Sequence, residues 1–163
     1  MEPAPRLRDP RELVSPRARL MWMVGGFVRA VVLMAALLVT SLVFDWYELR
    51  WWMPVLLGLV TVAAALVIPQ WRYLVHRWEV TETAVYTQTG WWTRERRIAP
   101  MSRIQTVDHV EGAISRLFRL ATVTVTTASA AGALRISGLD RDDARRLVDE
   151  LTLKADAVEG DAT

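Results

Sequence analysis

Two long apolar runs, separated by a short polar break, constrain this chain more than any other feature. The runs cover residues 21–44 and 51–69. Each reaches the roughly 17–25 apolar residues that cross a bilayer core about 30 Å thick. Because hydrocarbon offers no partner to backbone N–H and C=O groups, each run must pair its backbone internally, as a helix does. The sequence therefore predicts a transmembrane hairpin over residues 21–69, with residues 45–50 as its turn.

Arginine is distributed unevenly around this hairpin. Residues 1–20 contain five Arg, and Arg72 and Arg77 follow the second run, whereas the turn contains only Arg50. Since Arg-rich flanks stay in the cytoplasm, this asymmetry predicts a two-span membrane protein with both termini in the cytoplasm. Four prolines in residues 1–20 disfavour a helix. We expect this segment to be a flexible basic arm close to the inner leaflet.

Arg29 is the charged residue inside the first run. A charge at mid-bilayer costs on the order of 2.5–3.5 kcal/mol on insertion scales, and intramembrane charges often serve a function. Two interpretations stay open. Either Arg29 snorkels to the interface from a span that begins near Phe27, or it pairs with a group in a larger membrane assembly. The second run supplies no acidic partner.

Beyond residue 69 the apolar spacing changes from helical to alternating. Short β-branched segments bounded by Gly and Pro recur, and residues 121–128 read ATVTVTTA. Such segments predict an antiparallel sheet or barrel. Between two of them, residues 113–120 favour a short helical turn that places Leu117 and Phe118 over the sheet. We expect this domain to occupy residues 70–154.

The domain is predicted to close with a helix. Asp140 suits its N-cap, and the acidic residues that follow suit the positive end of the helix dipole. An acidic tail over residues 155–163 comes after it. The apolar positions of the helix fall on one face with helical spacing; they are Ala144, Leu147, Val148 and Leu151.

The composition argues against several classes of function. From Arg72 onward there are 13 basic and 13 acidic residues, without the basic excess that is typical of nucleic-acid binding. Since the chain has no cysteine, thiol catalysis and Cys-based metal centres are excluded. Ser102, Asp108 and His109 do not suit a catalytic triad, because strand neighbours face opposite sides. We expect no enzymatic activity, no metal, no cofactor and no small-molecule substrate.

One stretch of the domain combines aromatic and basic side chains, which suit lipid headgroups or acidic protein segments. It is also compatible with a solvated strand face, because Glu95 interleaves with the arginines. Both interpretations stay open. The candidate binding residues are Trp91, Trp92, Arg94, Arg96, Arg97 and Arg103.

The stretch GWWTRERRIAPMSRIQTVDHVEGAISRLFRLATVTVTTA, which begins at Gly90, resembles the bacterial pleckstrin-homology (PH)-like family formerly called DUF304, in particular its small YdbS-like members. The preceding spans and the closing helix match the family layout. The resemblance implies an α+β domain after the membrane α-helical hairpin: a PH-like, split antiparallel barrel capped by a C-terminal helix. One departure is the stretch Leu117-Phe118-Arg119-Leu120, where the family often has a Gly before the Thr/Val strand.

The resemblance also implies a non-enzymatic role at the membrane. The hairpin would hold a protein- or lipid-binding domain at the inner face, with a membrane protein, possibly of the same family, or a second copy as its partner. The alternative is a subunit of an envelope-stress or transport complex in which the hairpin acts through Arg29. Residues 81–83 contain an acid and no base, so phosphoinositide binding is not carried over.

Overall fold

The computed structural model describes residues 9–44, 48–90, 92–128 and 132–160. These form two compact units. One unit, the hairpin, comprises residues 19–71. The other, the sheet domain, combines residues 9–18 with the described residues from Arg72 onward.

The hairpin consists of two long helices, α1 (Arg17–Leu42) and α2 (Trp52–Val75). Both are long and apolar enough to cross a membrane, and their large apolar side chains are mostly exposed. Exposure on this scale would be costly in water, so it agrees with the predicted lipid environment. The second helix continues six residues past Pro69, where the sequence suggested its end. A proline inside a membrane helix is tolerated when neighbouring groups compensate the freed carbonyl.

The two helices approach each other closely at Gly26 and Ala65. A Cβ added at Gly26 would lie 2.9 Å from the Ala65 Cβ and 3.0 Å from its Cα. Ala65 is itself buried, so the neighbour has no room to move away. The small residue that allows this approach is therefore Gly26.

Replacing Gly26 by Leu is expected to force the helices apart, because the obstructing atoms include backbone. Overpacking of this kind costs about 1–3 kcal/mol. The matched control is Gly25→Leu, since nothing lies within 4 Å of a Cβ at that position. Thermal unfolding of the full chain in detergent micelles should show a lower midpoint for the first variant alone. Equal midpoints for the two variants would contradict the packing described here.

The sheet domain contains two antiparallel sheets with strand orders β1-β2-β3-β4 and β5-β6-β7, and no closed barrel forms among the described strands. Two antiparallel sheets with a closing helix confirm the predicted PH-like α+β fold, in which the barrel formed by the described strands is split and not closed. A 3-10 turn (Met101–Arg103) links the sheets, and a short helix, α3 (Ala113–Leu117), lies between β5 and β6. The strands are β1 (Glu12–Leu13), β2 (Arg77–Val80), β3 (Ala84–Thr89), β4 (Glu95–Pro100), β5 (Ile104–Val110), β6 (Leu120–Thr127) and β7 (Leu134–Asp140).

The closing helix, α4 (Arg141–Gly160), covers the core between the two sheets. Its apolar face is the predicted one, with Ala144, Leu147 and Leu151 buried. They pack with alternating strand residues of both sheets, as period-two patterning requires. Near the other end of the helix, Lys154 Nζ lies 2.9 Å from Glu150 and from Glu82 of the β2–β3 turn, and these hydrogen bonds raise the pKa of Lys154.

The N-terminal segment differs from the flexible arm that we predicted over residues 1–20. Residues 1–8 lie outside the described part of the chain. From Pro10 onward the backbone is packed: β1 pairs with β2, and the Ser15 N–H donates to the Gly138 carbonyl of β7 at 2.8 Å. Val14 is buried. This short segment therefore contacts an edge of each sheet. All the other described strands of the two sheets follow the hairpin in the sequence.

The turn around α3 also differs from its prediction. We expected Leu117 and Phe118 to cover the sheet, but Leu117 is 83% exposed and Phe118 is only half-buried. The reason is that α4 already fills the core through Leu147 and Leu151. A helix of five residues then remains outside the core, with its apolar side chains facing outward.

Candidate interaction surface

The predicted binding residues are grouped around β4, which forms one edge of the four-stranded sheet. Trp92 lies in the connection that leads into this strand and is 86% exposed. Arg94 follows it, is exposed, and makes no ion pair with any residue that the structure describes. Trp91 is outside the described residues. The connection turns sharply at Gly90, whose φ of +114° favours glycine.

Arg96 is held by neighbours within the sheet domain. Its Nε donates to Gln88 Oε1 at 3.0 Å, and Gln88 in turn donates to the Val75 carbonyl at 3.1 Å. The Arg96 guanidinium also forms an ion pair with Asp9 of the N-terminal segment. Two of its three guanidinium nitrogens are thus engaged within the fold.

Arg97 lies on the opposite face of β4, as alternation along a strand requires. Its Nε donates to Glu95 at 2.6 Å, and a terminal nitrogen donates to the Ala133 carbonyl before β7 at 3.1 Å. Arg97 therefore connects the edge of one sheet to a loop of the other. The sequence could not show this contact, because the partner lies 36 residues further along the chain.

The predicted binding residues therefore do not form one continuous surface. Arg103 is exposed in the 3-10 turn after β4, away from the connection that carries Trp92. Arg29 belongs to the hairpin, where it is exposed near the middle of α1. Trp92 and Arg94, separated only by Thr93, are both exposed, and we call them the β3–β4 tip.

A second charged cluster, which sequence reasoning missed, surrounds Glu111. Arg141 lies 2.8 Å from the Glu111 carboxylate, and Arg145 lies 4.0 Å away. Asp140, predicted as an N-cap, accepts a hydrogen bond from Arg17 at 2.9 Å. These pairs join the start of α4 to β5 and to the N-terminal segment. Their spacing in the sequence gave no signal, because each partner comes from a different element.

His76 follows the last residue of α2 and is buried. Burial, together with the positive charge of Arg72, lowers the pKa of His76 to about 4. The unfolded chain takes up this proton near pH 6.5, whereas the folded domain stays neutral until about pH 4. The free energy of unfolding should therefore fall as the pH drops from 6.5 to 4, by up to about 3 kcal/mol.

This dependence can be measured as the difference between the wild type and His76→Gln. Acid also protonates carboxylates in general, so both proteins lose some stability. We expect a smaller loss in the variant, because glutamine binds no proton in this range. Denaturant unfolding of the full chain in micelles at several pH values gives the comparison. Parallel curves for the two proteins would show that His76 contributes nothing.

Among the described residues, no group of three or more His, Asp or Glu side chains could hold a metal ion. The arrangement around β4 offers instead an aromatic ring and a guanidinium at an exposed sheet edge. Such an edge can contact a peptide or a headgroup.

Comparisons with known proteins agree with this architecture. The family model described as "Bacterial PH domain" matches residues 19–155. The UPF0699 transmembrane protein YdbS of Bacillus subtilis (strain 168) is 27% identical over 157 residues, which cover 94% of this chain and 98% of the relative. No solved structure matches the chain. Two apolar helices, two antiparallel sheets and a closing helix, together with the match over residues 19–155, show that this chain belongs to the bacterial PH domain family.

Proposed function

We propose that this protein is a non-enzymatic, membrane-anchored interaction module that binds an acidic segment of another membrane protein. The observation that supports this most directly is the β3–β4 tip. Trp92 is 86% exposed, and Arg94, two residues further on, is outside the ion pairs that engage Arg96 and Arg97. Tryptophan and arginine are the residues most enriched where truncation weakens protein–protein binding.

The edge of the sheet supports the same proposal. Among the described strands β4 has a partner on one side only, so its outer backbone groups can pair with an added strand. Arginine forms bidentate hydrogen bonds to carboxylates, which favours an acidic peptide over a basic one. The membrane anchor raises the effective concentration of other membrane proteins, so a modest contact area suffices.

Site-specific photocrosslinking in intact cells tests this proposal. A photoreactive residue at Thr93, between Trp92 and Arg94, should give a discrete adduct with a membrane protein. One at Asp149, exposed on α4, is the control and should not. Arg94→Glu should abolish the adduct by charge reversal, whereas Arg29→Leu should leave it unchanged. An adduct that survives Arg94→Glu, or none from Thr93, contradicts the proposal.

We further propose that the sheet domain lies at the inner face of the cytoplasmic membrane. β1 precedes the hairpin and β2 follows it, yet the two strands pair, so both ends of the hairpin must emerge on one side. The arginine asymmetry favours the cytoplasm for that side. Because the chain has no cysteine, Tyr47→Cys should react with an impermeant thiol reagent in intact cells and Thr127→Cys should not. Labelling at position 127 would overturn this orientation.

A second candidate function rests on Arg29. It is 12 residues from the first residue of α1 and 13 from the last, or about 18–20 Å from either end. Its side chain is exposed on the helix pair, so a partner helix could supply a carboxylate within the membrane. The protein would then be a subunit of an envelope-stress or transport complex. Loss of complex assembly in Arg29→Leu, with Arg94→Glu unaffected, would favour this function over the first.

A further inference from the structure

The turn between β5 and β6 exposes apolar side chains that do not contribute to the core. Ile114 is 56% exposed and Leu117 is 83% exposed. They are three residues apart in α3 and therefore share one face of this short helix. Val110, at the end of β5, is exposed as well. Single exposed apolar side chains are ordinary, but here three of them lie within eight residues of the chain.

The charged residues of the same turn are basic, and their side chains can contact a ligand. Arg116 and Arg119 are exposed, and neither forms an ion pair with a residue that the structure describes. The acidic group closest in sequence, Glu111, is neutralised by Arg141 at 2.8 Å. The turn therefore presents apolar side chains flanked by positive charge.

Arg119 is also held in an unfavourable backbone conformation. Its φ is +55°, in the left-handed region where a side chain costs about 1–2 kcal/mol and glycine costs little. The conformation is fixed on both sides: the Arg119 N–H donates to the Arg116 carbonyl, and the Arg141 N–H donates to the Arg119 carbonyl. Keeping an arginine where glycine is the more stable residue suggests that the side chain has a use outside the fold.

We propose that this turn is a second membrane-contact site, which docks the sheet domain on an anionic lipid surface. Ile114 and Leu117 enter the boundary between headgroups and acyl chains, and Arg116 and Arg119 contact lipid phosphates. The two kinds of chemistry in the patch match the two layers that a bilayer presents. The hairpin keeps that surface permanently within reach. This site is independent of Trp92 and Arg94 and of any protein partner.

The test uses the full chain in lipid nanodiscs, with a nitroxide attached to Ala113→Cys. Ala113 is exposed and four residues before Leu117, so its label reports on the apolar face without removing it. In discs of phosphatidylglycerol and phosphatidylcholine, the label should be accessible to oxygen and protected from a water-soluble nickel complex. A label at Asp149→Cys should show the reverse. Water exposure of position 113 in these discs overturns the proposal.

Arg119→Gly separates lipid contact from folding. It removes the charge and also relieves the strained backbone, so the domain should become more thermostable while its docking weakens about fivefold. Leu117→Ser should weaken docking by about tenfold. Equal protection in pure phosphatidylcholine, or protection unaffected by Arg119→Gly, contradicts an anionic lipid site. Protection that rises with the number of chains per disc would show a second copy on this face instead, and would also overturn the proposal.

Discussion

Replacing Val14 by Asp is expected to unfold the sheet domain, although most of that domain lies beyond Arg72, on the other side of the hairpin in the sequence. Val14 is 2% exposed and follows β1, in the segment that joins β2 to β7. A carboxylate buried there without a partner costs several kcal/mol, a large part of the 5–15 kcal/mol that stabilises a typical domain. Limited proteolysis in membrane vesicles should therefore cleave the sheet domain of the variant rapidly.

Pro16→Asp is the matched control for this substitution. Pro16 is exposed and two residues away, and an acid at the start of α1 is compatible with the helix dipole. We expect proteolysis of this variant to resemble the wild type. Resistance of Val14→Asp to protease would mean that the N-terminal segment is dispensable for the fold.

Leu151→Ala should have the second large effect, destabilising the sheet domain by about 2–5 kcal/mol. Leu151 is fully buried on α4 and belongs to the core shared by both sheets, so truncation leaves a cavity among rigid strands. Leu153, on the same helix, is 71% exposed. Leu153→Ala should change the free energy of unfolding by no more than about 0.5 kcal/mol.

Denaturant unfolding of the full chain, followed by tryptophan fluorescence, measures both leucine variants. The sheet domain contains Trp78, which packs against the core and changes its environment on unfolding. The comparison uses the same chemical change on one helix, so helix propensity cancels. Similar losses for the two variants would contradict the placement of α4 on the core.

Physical reasons explain which parts of this fold could be predicted from the sequence. The length of the two apolar runs predicted the hairpin, and the alternating spacing of apolar residues predicted the sheets. Both signals are local in the sequence. β1 was missed because it contains two residues and pairs 66 positions away, from Glu12 to Trp78. Nothing in a two-residue strand is periodic, and the prolines around it suggested flexibility. The same prolines in fact suit an edge strand, which needs few donors.

The candidate surface was harder to predict for a related reason. The residue types around β4 suggested binding, but they did not show which arginines were already engaged. Asp9 and Ala133 decide that for Arg96 and Arg97, and both lie far away in the sequence. Leu117 shows the converse: its apolar character suggested the core, yet the core was already filled by α4. Competition for space is a property of the whole fold and leaves no local signal.

The position of β1 before the hairpin has a consequence for biosynthesis. The ribosome releases β1 first, then both spans, and only afterwards the strands with which β1 pairs. Closing so long a loop is entropically slow in free solution, but an inserted hairpin brings its two ends close together and shortens the search. A chain in which one span fails to insert leaves β1 and β2 on opposite sides of the bilayer. Completion of the sheet would then report correct insertion, and failed molecules would expose a strand edge that proteases can recognise.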